Sequence, residues 1–227
     1  MTEFVAADVL AAWAGGLAGA ATIVALWRVV GPGFLWLAAL TAALFGLPSL
    51  LLDFGAASAV GTAALAVAAV VARHPMRAAG SFAVGAGGFT IAAMGSGVPG
   101  GLSAAVFLGA ITGEMILGHW YLVDPRLPRW ALFRLDAGAM IGLVAELAVL
   151  GGLGAFGWAD GDQVIGWAFV GLAIATGVLL VAVWFSLKEP AYPAVMAATG
   201  LSYLAVLTAV GTSVAGRILA EAAGGRP

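Results

Sequence analysis

The segment Gly109–Asp136, GAITGEMILGHWYLVDPRLPRWALFRLD, decides the reading of the whole chain. An apolar run breaks at a basic turn bounded by Pro125 and Pro128, and a second apolar run begins at Trp130. Proline stops helices, so the segment reads as two membrane helices joined by a short turn. The same stretch holds Glu114, His119, Trp120, Tyr121, Arg134 and Asp136. Ionisable groups at membrane depth are costly and face a cavity, a partner or a pathway rather than lipid. A polar site is therefore expected here.

Composition extends this reading to the full chain. Of 227 residues, 63% are hydrophobic and 9% charged, with a mean hydropathy of +1.10. Soluble domains carry about 25% charged residues, so a polytopic membrane protein in a lipid bilayer is expected. A net charge of −2 gives no argument for nucleic acid. The absence of cysteine excludes disulfides, thiolate metal sites and cysteine catalysis. Glu3 and Asp8 precede the first apolar run without any basic residue, so that run is read as a permanent span rather than a cleaved signal. The 34 glycines suit helices that pack closely.

A spanning helix needs roughly 20 mostly apolar residues. The pattern predicts an all-α bundle of about eight spans in antiparallel hairpins, at about 8–30, 33–52, 55–73, 78–96, 101–123, 131–154, 164–187 and 193–220. The connections are short, so the chain is one transmembrane domain. Seven of the nine basic residues (Arg28, Arg73, Arg77, Arg126, Arg129, Arg134 and Lys188) fall at the turns after spans one, three, five and seven. Arg217 and Arg226 fall on the opposite side, with Glu3, Asp8, Asp53, Asp160 and Asp162. The positive-inside rule then puts both termini outside, and the alanine- and glycine-rich spans fit a bacterial inner membrane. Each basic turn also carries proline, and tryptophan precedes three of them. Helix termination and the interfacial preference of tryptophan account for that spacing without an internal repeat.

Glu114 is expected mid-span, about 13 Å from the basic end, with Ala110 and Gly118 on its face. A carboxyl there could carry a proton or bond a neighbouring helix as packing glue. His119 lies about 140° around the helix and about 7.5 Å nearer the basic end. Imidazole can hydrogen-bond a quinone carbonyl, shuttle protons or ligate haem iron. His74, the only other histidine, is too peripheral for a bis-histidine haem. Ligation by His119 with Met94 or Met140 is the one haem arrangement the sequence leaves open. Asp136 enters the next span near the depth of His119 and is a candidate carboxylate partner for it. The plainer reading is that Arg134 snorkels to the surface and Asp136 pairs with it or caps the helix. Glu146 is the second deep carboxyl, about 9 Å in height from Glu114, and the two could form part of a proton path. Tyr203 is read as a packing residue. The Gly95–Gly101 stretch is read as a flexible outer turn, and Thr62, Thr90, Thr112, Thr176, Thr199 and Ser202 as bonding their own helices. No metal site and no catalytic constellation can be assembled from the motifs present.

Two functions follow as expectations. The first is the membrane subunit of a respiratory or redox complex, anchoring protein partners. Such a subunit would border a quinone and proton site at His119, Trp120, Tyr121, Arg134, Asp136 and Glu114. The alternative is a small secondary transporter or channel that uses Glu114 and Glu146 as proton or cation coupling sites. A purely structural anchor is the plainest third reading, and a membrane hydrolase comes last.

Overall fold

The computed structural model describes residues 2–158 and 162–224. Asp160, Arg226 and the side chain of Glu3, placed on the outer side above, lie outside that description. The described chain folds into eight helices: α1 (Thr2–Trp27), α2 (Pro32–Leu52), α3 (Ala56–Val70), α4 (Pro75–Ala92), α5 (Val98–Val123), α6 (Arg129–Gly152), α7 (Gln163–Lys188) and α8 (Tyr192–Gly224). A 3-10 turn at Ala93–Ser96 joins α4 to α5, and no strand occurs among the described residues. Proline at the first helical position of α2 and α4 starts those helices where its missing N–H goes unused.

The all-α membrane bundle of eight helices is thus realised, with a difference in length. Six helices are long and apolar enough to cross a bilayer: α1, α2, α5, α6, α7 and α8. At 15 residues, α3 rises only about 22 Å, short of a hydrocarbon core of about 30 Å. Its partner α4 carries Arg77 and four glycines, which dilute its hydropathy. At 33 residues, α8 is about 50 Å long and must tilt or project beyond the core.

Tertiary contacts fix the antiparallel order. The Ser49 hydroxyl near the end of α2 donates to the Ala7 carbonyl near the start of α1, at 3.1 Å. Phe89 late in α4 fills the space left by Gly61 early in α3 and by Gly46 of α2. Phe169 early in α7 lies against Gly216 late in α8. At the centre runs α5, with 78% of its span buried against 28% for α7, so most groups on α5 meet protein rather than lipid. Its closest approach is to α1. A Cβ on Gly109 would overlap the backbone of Gly16, and one on Gly16 would overlap the carbonyl of Ala105. Only glycine lets two backbones meet this closely.

Candidate functional site

Both deep carboxyls sit in the protein core, and the structure gives them different surroundings. Glu146 of α6 is 0% exposed and Arg217 of α8 is 4% exposed, and they form a buried ion pair. Arg217 Nη1 donates to Glu146 Oε1, which also accepts the Ser213 hydroxyl at 3.0 Å. The Ser103 hydroxyl of α5 donates to Glu146 Oε2. Arg217 Nη2 donates to the Gly100 carbonyl at the start of α5, at 2.8 Å. Both carboxylate oxygens are therefore bonded, and one cluster ties α5, α6 and α8 together. A buried charge needs this degree of pairing to be tolerated. The Gly95–Gly101 stretch, expected as a flexible turn, is anchored by it through Gly100. Gly101 also packs on the backbone of Ala93.

Glu114 and Asp136 lack such partners. Glu114 is 2% exposed and its Oε1 has no hydrogen bond, while Ser202 of α8 lies within hydrogen-bonding reach of the carboxyl. Asp136 of α6 is 0% exposed, and neither of its oxygens has a partner. The two carboxyls sit on the packed neighbouring helices α5 and α6. Small residues make the room. A Cβ on Gly118, one turn from Glu114, would strike the Thr199 hydroxyl at 2.7 Å. Native proteins rarely leave a buried carboxyl without partners, and such groups mark functional positions.

The remaining candidates of the α5–α6 region disperse. His119 is exposed and shares a 3.3 Å hydrogen bond through Nδ1 with the Tyr203 hydroxyl of α8. Its partner is therefore Tyr203, and the His119–Asp136 pairing considered above does not form. Tyr203, expected to be buried and packing, is 45% exposed. Trp120 packs edge-on to Phe34, with ring centroids 6.4 Å apart. Tyr121 stacks on Tyr192 and receives a hydrogen bond from Arg129 Nε at 3.4 Å. Arg134 is exposed and does not pair with Asp136: its guanidinium lies 4.6 Å from the Trp130 ring and 5.8 Å from the Trp27 ring. His74 is exposed at the entry to α4. Among the described residues no three histidine, aspartate or glutamate side chains converge as a metal site would require.

Thr62, Thr176, Thr199 and Ser202 bond their own helices as expected. Thr112 instead accepts the Trp13 indole N–H across the α1–α5 contact at 2.7 Å. Arg217, Ser103, Ser213 and Ser202 were not singled out as site residues by the sequence. The available signal was Arg217 itself, an arginine inside an expected span. Comparison with known proteins adds no relative: no family model, no curated protein and no solved structure matches the chain.

Proposed function

We propose that this bundle moves protons across the bilayer, with Glu114 and Asp136 as the groups that take up and release them. One observation carries the reading. Two carboxyls are enclosed on adjacent core helices, and three of their four oxygens have no hydrogen-bond partner. A carboxyl pair with spare oxygens can hold a proton and pass it on. Glu146 is left out of the path considered from sequence, because Arg217, Ser103 and Ser213 occupy both of its oxygens. The exposed His119–Tyr203 pair lies on the same two helices as Glu114 and Ser202, and we assign proton entry to it. With the basic turns cytoplasmic and the termini outside, in a bacterial inner membrane, that entry faces the cytoplasm.

Proton flux into proteoliposomes tests this. With a potassium diffusion potential imposed and a pH dye inside, wild-type vesicles should acidify about a hundredfold faster than Glu114→Gln or Asp136→Asn vesicles. Equal rates would remove the proposal.

A second reading, the membrane subunit of a redox complex with protein partners, is favoured by one feature. His119 and Tyr203 present an imidazole and a phenol together at the bundle surface, where a quinone carbonyl could be reached. Gentle purification from native membranes, followed by mass spectrometry, would recover redox subunits in stoichiometric amounts if this reading holds. Recovery of the chain alone would count against it.

A further inference from the structure

A groove of about 350 Å³ runs along the outside of the bundle between α1, α4, α5 and α6, and it is separate from the carboxyl pair. Its floor is backbone and methyl groups, among them Gly15, Gly19, Ala110 and Gly138. Ile23, Leu102 and Val106 border it at about half exposure, at 46%, 46% and 50%, so it opens sideways toward lipid. Glycine makes this depth available: a Cβ on Gly19 would meet nothing closer than the Ala86 methyl at 3.9 Å. At one end sit Trp27 and Arg134. Arg134 is exposed and is held over the Trp130 and Trp27 rings, and no carboxylate pairs with it among the described residues.

Three features agree on the occupant. The length from Gly15 to Trp27 is about 18 Å, close to the hydrocarbon depth of one leaflet, about 15 Å. The lining is apolar apart from the uncharged Thr90 hydroxyl near Gly15 at one end and Arg134 at the other. Indoles beside a guanidinium at that end mark the headgroup level. We infer that the groove is a binding site for one anionic phospholipid of the leaflet on the basic-turn side, its acyl chain on the glycine floor and its phosphate on Arg134. The guanidinium fork suits a phosphate oxygen pair. This inference is independent of proton movement and survives its failure.

Native mass spectrometry of the full chain in detergent, titrated with phosphatidylglycerol or phosphatidylcholine, tests it. Wild-type protein should retain one phosphatidylglycerol at least about fivefold more tightly than phosphatidylcholine. Arg134→Gln should lose that preference. Gly19→Leu, at a groove position where a Cβ meets no backbone, should lower retention of both lipids. Equal retention of the two lipids by wild-type protein would overturn the inference. So would unchanged retention in Gly19→Leu, which also decides the matter if Arg134→Gln fails to fold.

Discussion

Glu146 and Glu114 are the same residue type at similar burial, and their neighbours give them different surroundings. For Glu146, removing one partner strands a buried charge. Arg217→Met or Glu146→Leu alone should therefore destabilise the protein by about 3–5 kcal/mol, while the double substitution should recover most of that loss. Thermal unfolding in detergent measures all three, and additive losses would show that the two residues are not a coupled pair. Glu114→Gln and Asp136→Asn remove no ion pair and should leave unfolding within about 1 kcal/mol of wild type. The sequence exposed both deep glutamates because an acid inside an apolar run is conspicuous. It named no partner for Glu146, because Arg217 lies 71 residues away and only packing brings the two together. The partner of His119 was equally hidden, since Tyr203 lies 84 residues away and only packing brings them together.

Helix pairing depends on glycines at some crossings and is indifferent to them elsewhere. At the α1–α5 crossing, Gly109→Ala should force the backbones apart and destabilise by about 1–3 kcal/mol. Gly200→Ala on α8 meets open space and should be neutral or stabilising by up to about 1 kcal/mol. Equal effects at both positions would mean that the close approach does not hold α1 to α5. At the basic turns, Arg129 donates to the carbonyls of Glu189 and Pro190, the latter at 2.7 Å, and so latches the α5–α6 turn to the α7–α8 turn. Arg129→Ala should raise protease cleavage near Glu189 without unfolding the bundle, and limited proteolysis checks it. The proline-bounded turns placed these helix ends well from sequence. They did not reveal that α3 is short, because its apolar composition continues through Val71 and Ala72 into the turn.

For the whole molecule, composition alone sufficed to identify a helical membrane bundle, since few charges and long apolar runs allow little else. Which helix lies at the centre was not legible. Hydropathy ranks α7 above α5, whereas the structure buries α5 and leaves α7 at the edge, because the small residues of α5 admit neighbours on every side. The cysteine-free chain makes orientation directly testable. Single cysteines at Arg126 and Glu189 should react with an impermeant thiol reagent only from the cytoplasm, and one at Asp53 only from outside. The reverse pattern would invert the topology and the direction assigned to proton entry. The proposed proton path separates the unpartnered Glu114 and Asp136 from the ion-paired Glu146. Its most direct test is potential-driven proton flux, normalised to folded protein, for wild type, Glu114→Gln, Asp136→Asn and Glu146→Gln in the same vesicles. Flux should be lost in the first two variants and retained per folded molecule in Glu146→Gln. Flux that survives loss of Glu114 and Asp136, or that disappears only with Glu146, would contradict it.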